Sequence, residues 1–314
     1  MLLSTPLNVL VLEALFDGPK QHADLRRAGG SPAQSTLRTQ LNRLVELDVI
    51  EKTRRNRFPS VLEYELTESG RDLRVVMAIL GRWLERAPEE PLSLGGNPAR
   101  AAIKALAEGW STTIPRALAA GPRSLTELNR VINVLSYPSL ERRLSAMRYA
   151  SLIEPQPNND RGTPYRITDW LREGVAPLAG AARWEHRHLP EAAPIGRLDT
   201  EAAFLLAVPL LTLSADLSGS CRMAAEISSG HIQRLAGVVV RLAKGRVRSC
   251  VTTLQGHPDA WALGPPGAWL DAVMEPDPSR LELGGDQRVA RQLIEGLHGV
   301  LFTKSSKNGL TSPI

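Results

Sequence analysis

The apolar positions of the chain change period several times, and each change marks an element. From Ser31 to Asp48, Leu37, Leu41, Leu44 and Leu47 recur at steps of four, three and three, which places them on one face of a helix. Ser31 and Pro32 read as its start, a capping side chain followed by proline at the first helical position. At Val49 the pattern turns to strand: Val49-Ile50 opens one, and Val61 to Leu66 alternates as its return. Between them lies Lys52-Thr53-Arg54-Arg55-Asn56-Arg57, a compact basic run at the tip of the predicted hairpin. The opening segment MLLSTPLNVLVLEALF carries Leu7, Leu10, Val11 and Leu15 at helical spacing. It has no basic leader and no small-residue cleavage site, so it reads as a core helix rather than a signal peptide.

The polar face of the Ser31–Asp48 helix carries Gln34, Ser35, Arg38, Thr39, Asn42 and Arg43. These are short or planar hydrogen-bonding groups with two guanidiniums, a set suited to base edges and phosphates. A solvated surface helix has a similar face; the basic hairpin that follows separates the two readings. Helix, hairpin and basic tip together describe a winged helix-turn-helix, with the helix in the major groove and Arg54, Arg55 and Arg57 of the wing on the backbone or minor groove. From Leu12 to Glu85 the chain resembles the HxlR-type winged-helix transcriptional regulators. The resemblance is carried by LRTQLNRL (37–44), YELTESGRDL (64–73) and Leu80-Gly81-Arg82-Trp83; the loop Ala28-Gly29-Gly30 departs from the family's usual approach to the helix.

The pattern occurs twice. At an offset of 103, Gly18-Pro19-Lys20 falls on Gly121-Pro122-Arg123, residues 37–44 on 140–147, and Val49-Ile50-Glu51 on Leu152-Ile153-Glu154. Beyond the hairpin tip the offset becomes 101, carrying Tyr64-Glu65-Leu66-Thr67 onto Tyr165-Arg166-Ile167-Thr168 and Arg82-Trp83 onto Arg183-Trp184. A change of offset at a loop is where a duplicated domain tolerates one. In the second unit, Ser124 and Glu127 form a capping-box pair, and the expected recognition helix presents Tyr137, Ser139, Arg142 and Arg143. The second wing, residues 156–164, holds only Arg161 as a cation, which leaves open whether this unit contacts DNA or only packs. Two such units in one chain are expected to act as a pseudo-dimer with unlike half-sites, whether the chain is a monomer or a homodimer.

After a Pro- and Ala-rich linker near residue 190 the character changes to helix, a run of strands, and two helices, an α+β pattern. This third resembles the sterol carrier protein-like fold in LAGVVV (235–240), Gly245-Arg246-Val247, Trp269-Leu270, LELGGD (281–286) and Leu293-Ile294. The resemblance implies a hydrophobic tunnel between sheet and helices. Phe204, Met223, Trp261, Trp269 and Met274 are large enough to line such a pocket, and equally suited to a plain core.

The sequence therefore predicts an α+β chain: a winged helix over 1–90, a second over 98–188, a sterol carrier-like ligand-binding domain over 195–303 and a flexible tail over 304–314. Charge adds little globally, with a net +5, but the middle third (91–194) has 13 Lys and Arg against 9 Asp and Glu. Two cysteines, Cys221 and Cys250, exclude a zinc finger or disulfide framework and fit a reducing cytoplasm; on neighbouring strands they would allow a weak redox switch, but buried inert thiols are the expected reading. His186 and His188, two apart on a helix, do not share a metal. No catalytic constellation or phosphate loop is present, so the expectation is a cytoplasmic regulator. It would be neither an enzyme nor a membrane protein, and would use no cofactor. Its partners are double-stranded DNA and a hydrophobic small-molecule effector. The rival is a small-molecule-sequestering, self-protective binding protein with degenerate winged helices.

Overall fold

A computed structural model describes residues 2–55, 61–156, 162–189, 199–229 and 232–303. The first unit is built as its apolar periods require. Helix α1 (Pro6–Phe16) buries Val9, Val11, Leu12 and Leu15. A two-residue strand β1 (Lys20–Gln21) leads into α2 (His22–Ala28) and α3 (Gln34–Glu46), whose Leu37, Leu41 and Leu44 are sealed into the same core. Strands β2 (Ile50–Arg55) and β3 (Val61–Leu66) pair antiparallel, with β1 on the far side of β3, and α4 (Glu68–Leu84) closes the unit.

One local expectation is corrected. Ser31 does not cap α3: it sits at φ 57°, and Ala33 occupies the cap position without a side-chain bond. The reason is the preceding glycine pair. Gly29-Gly30 lets the chain fold back, so Ser31 N donates to Arg26 O at 2.8 Å and Gly30 N to Arg27 O at 3.1 Å. Ser31 thus closes α2 instead of opening α3.

Residues 97–188 begin with α5 (Asn97–Trp110), followed by α6 (Ile114–Ala119), α7 (Leu125–Val131), α8 (Tyr137–Tyr149) and the short strands β4 (Ile153–Pro155) and β5 (Tyr165–Ile167). Two helices follow, α9 (Asp169–Glu173) and α10 (Val175–His188). Ser124 and Glu127 form the capping box that opens α7. Several local geometries of the first unit recur. Thr67 Oγ1 accepts from Gly70 N at 3.1 Å and donates to Val49 O, while Thr168 Oγ1 accepts from Leu171 N at 3.2 Å and donates to Leu152 O. Asp48 and Ser151, at φ 53° and 55°, turn the chain out of α3 and α8. Lys20 pairs with Tyr64, and Arg123 bridges to Tyr165.

Helices α4 and α10 pack side by side, and tryptophans join the two halves reciprocally. Trp83 Nε1 donates to Trp170 O at 2.9 Å, and Trp184 Nε1 donates to Ser69 O at 2.8 Å. An offset of 101 carries Trp83 onto Trp184 and Ser69 onto Trp170, so the two bonds correspond to one another under that offset. The Trp83 and Trp170 rings stack at 4.5 Å and 9°, and Trp170 Nε1 returns a bond to Trp83 O.

The last third holds α11 (Thr200–Ala207), strands β6 (Gly219–Ser229), β7 (Ile232–Ala243), β8 (Arg246–Val251), β9 (Ala260–Gly264) and β10 (Glu282–Gly285), and helices α12 (Pro266–Met274) and α13 (Gln287–Phe302). The sheet order is β10-β9-β6-β7-β8, with β9 parallel to β6. It is therefore not a plain succession of hairpins, because the connection after β8 carries the chain to the other side of β6. One face of the sheet, including Cys221, Met223, Val238 and Val240, lies in the core with α11, α12 and α13.

Candidate nucleic-acid interface and apolar cavity

Because α3 spends its leucines on the core, its remaining face is turned outward. Gln34, Ser35, Arg38, Thr39, Asn42 and Arg43 are all exposed. Thr39 Oγ1 is tied to Ser35 O at 2.9 Å. Strand β2 lies alongside: Lys52 Nζ donates to Asn42 Oδ1 at 3.0 Å and stands 6.0 Å from the Tyr64 ring centre. Burial pushes the Tyr64 phenol up, and the nearby Arg38 guanidinium pulls it back. Arg54 is exposed on β2. The Arg55 side chain and Arg57 lie outside the described residues. Lys52, the first residue of the basic run, joins this face although the wing contacts expected from the sequence begin at Arg54.

In α8 the expected face is only partly assembled. Tyr137 is 47% exposed and Arg142 is exposed. Ser139 is half-buried, with its hydroxyl 2.9 Å from that of Ser136. Arg143 is a correction: it turns inward, Nη1 donating to Glu108 O at 2.6 Å at the end of α5, with Nε buried and unpartnered among the described residues. The extra helix α5 packs on α8 and captures it. Glu141, exposed, stands where the repeat places Arg38. Arg161 lies outside the described residues.

Of the five large side chains expected to line a pocket, three meet and two do not. Phe204 and Trp269 pack edge to face at 4.9 Å, and with Met274 they border a cavity of about 50 Å³ among α10, α11, α12 and α13. Met223, 1% exposed, is sealed on β6 in the sheet core and does not line it. Trp261 lies on the opposite strand face from buried Ala260 and Ala262, against Gly284 of β10. The two cysteines do not sit on neighbouring strands. Cys221 pairs with Val240 and Val240 with Cys250, so one strand separates them. At about 4.8 Å per strand, the cysteines lie about 9.6 Å apart, beyond disulfide reach. Burial pushes both thiols up to about 12. No cluster of three or more His, Cys, Asp or Glu suited to a metal occurs among the described residues, and His188 instead meets Asp72 at 3.0 Å.

Helices α1–α3, followed by the two-stranded wing β2–β3 and closed by α4, with α3 outward and basic, define a winged helix-turn-helix. Residues 2–91 match the family described as HxlR-like helix-turn-helix, so the N-terminal unit is an HxlR-like domain. An uncharacterized HTH-type transcriptional regulator of Mycobacterium tuberculosis, MT3179, is 34% identical over 90 residues, 27% of this chain and 56% of that protein. Its counterpart Mb3122 of Mycobacterium bovis is 33% identical over 90 residues with the same coverage. The chain spans little more than half the length of these relatives. Among solved structures, the reduced form of the transcriptional regulator YodB from B. subtilis is 26% identical over 26% of this chain and 79% of that one, with a TM-score of 0.25. No described helix is long and apolar enough to cross a membrane.

Proposed function

We propose that the chain is a DNA-binding transcriptional regulator in which α3 reads the major groove. The observation that carries this is the exposed α3 face, flanked by Lys52 and Arg54 of the wing strand, in a domain of HxlR-like fold. Arg38 and Asn42 are the base-reading candidates, with Gln34, Ser35, Thr39 and Arg43 bracing the backbone alongside Arg54, Arg55 and Arg57 of the wing. Residues 98–188 act as a second winged helix docked through α4 and α10. The recurrent Thr67 and Thr168 caps and the paired tryptophan bonds support that reading. The C-terminal α+β domain, sterol carrier-like in its pattern, senses a hydrophobic small molecule.

The second reading, a sequestering binding protein, is favoured by one observation: α8 has Glu141 outward and Arg143 captured by α5. DNA selected from a random pool separates the two. Under our reading, Arg54→Ala weakens binding to all sequences alike and lowers the salt slope by about one, whereas Arg38→Ala costs about 1–3 kcal/mol and relaxes preference at one base pair. Failure of the intact chain to select any sequence in a salt-dependent way refutes the regulator and leaves sequestration.

A further inference from the structure

Helix α10 touches two bodies through two adjacent ridges, each spaced by four residues. Along the first, Val175 and Ala179 line the apolar cavity, Arg183 Nε meets Asp271 Oδ1 of α12 at 2.8 Å, and Arg187 reaches the same carboxylate at 3.4 Å. Arg183 also bonds Glu275. Along the second, a Cβ on Gly180 would stand 3.1 Å from Ile79 of α4, Trp184 donates to Ser69 O, and His188 meets Asp72. One face of the helix therefore belongs to the C-terminal domain and the next to the N-terminal unit. A rigid helix with this arrangement cannot be displaced on one side without moving the contacts of the other.

The cavity has a defined chemistry. No charged side chain lines it, and the Trp269 N–H is already given to Ala224 O at 2.8 Å. The Thr200 hydroxyl is the remaining polar side-chain group in its wall. At about 50 Å³ it has room for a few carbon atoms. Larger occupants require its half-buried walls, Met274 and Leu301, to give way, and an unbranched thioether does so readily. The site lies between helices, on the far side of Trp269 from the sheet, and is not the sheet-to-helix tunnel.

Resting on the sensor reading above, we propose that this cavity is the effector site. It takes a compact, uncharged, largely hydrocarbon or monocyclic aromatic molecule, and α10 relays its occupancy to the Trp184–Ser69 bond and so to the first DNA-reading unit. An occupant that pushes Val175 and Ala179 outward moves the second ridge with them, and only such a differential contact can bias one arrangement over another.

The test uses the full chain labelled with ¹³C at methionine methyls and ¹⁵N at indoles, titrated with toluene. The expected result is a saturable shift of the Met274 methyl, with Met223 unmoved, and a parallel shift of the Trp184 indole N–H. Ala203→Phe, which fills the cavity, weakens both responses by about tenfold or more. Leu301→Trp, at the half-buried wall, does the same and serves if the first variant does not fold. Benzoate, similar in size but charged, produces no saturable shift. A response at Met223 without one at Met274 overturns the site, as does undiminished binding in a folded filled variant. A Met274 response with a silent Trp184 overturns the relay. Neither readout involves DNA, so loss of sequence selection by the chain would defeat the regulator reading while leaving this result to stand on its own.

Discussion

The reciprocal tryptophan bonds allow a prediction about the internal interface that can be worked to a number. Trp83→Phe removes the indole N–H that reaches Trp170 O at 2.9 Å and leaves that carbonyl with the Gly174 N–H at 3.0 Å. The lost hydrogen bond costs about 0.5–1.5 kcal/mol. It also replaces an indole stacked at 4.5 Å and 9° by a smaller ring, forfeiting part of a contact worth about 0.5–1.5 kcal/mol beyond area. Trp184→Phe removes the mate bond to Ser69 O at 2.8 Å, again about 0.5–1.5 kcal/mol, but its aromatic neighbour His188 is only tilted at 5.7 Å. Both substitutions should therefore destabilise the chain, with Trp83→Phe the worse by about 0.5–1 kcal/mol. The assay is urea unfolding followed by circular dichroism and by hydrogen exchange of the α4 and α10 amides, which locates the loss at the interface. If either variant loses less than about 0.5 kcal/mol, the bonds do not hold the halves together. If Trp184→Phe is clearly the worse, the stack is not the extra element.

The ion cluster between α10 and α12 predicts a pH-dependent loss. Burial of Asp271 acts to raise its carboxyl, but the bond from Arg183 and the charges of Arg183, Arg187 and Arg280 hold it below the usual range. A carboxylate depressed in the folded state stabilises fully above its unfolded value and loses that contribution as pH falls through the folded one. Asp271→Asn should thus cost about 1–3 kcal/mol at pH 7, and its unfolding curve should converge on that of the parent below about pH 4. A constant difference down to pH 2 would show that packing, not charge, is responsible. The cysteines predict inertness: with both thiols pushed up to about 12 and one strand apart, Cys221 and Cys250 should react with a disulfide reagent at pH 8 only upon unfolding. Formation of an intramolecular Cys221–Cys250 bond in the native chain under an oxidant would contradict the sheet register.

What the sequence made legible was periodic and local. The Leu37, Leu41 and Leu44 ladder placed α3 and its outward face, and strict alternation placed β3 at Val61–Leu66. The failures have particular causes. The Ser31-Pro32 signal was outweighed by Gly29-Gly30, which made the serine the end of one helix instead of the start of the next. No alternation marks strand β10, because ELGG is short and glycine-rich, and it exists only through pairing with β9. Met223 and Trp261 were grouped by size, although they lie on opposite faces of the sheet, which neither pattern shows without the strand register. The inward turn of Arg143 depended on α5, an element outside the repeat and 35 residues distant in sequence.

The pattern of what is duplicated bears on how the halves divide their work. Positions facing inward repeat in chemistry: Thr67 and Thr168 cap the same way, and Trp83 and Trp184 donate to mates of one another. Positions facing outward on the two comparable helices do not: Gln34, Arg38 and Asn42 stand against Tyr137, Glu141 and Ser145. Packing constrains the first set, because each member has a buried partner; the second set is exposed to solvent. The packed contacts of the two segments thus correspond under one sequence offset, while their outward side chains differ. Glu141 in place of Arg38 puts a carboxylate where the first unit offers a guanidinium, and a carboxylate on that face accepts from cytosine N4 but repels phosphate. A duplex spanning both helices would therefore meet two unlike readers, and a perfectly palindromic footprint requires a second copy of α3, supplied by a second chain.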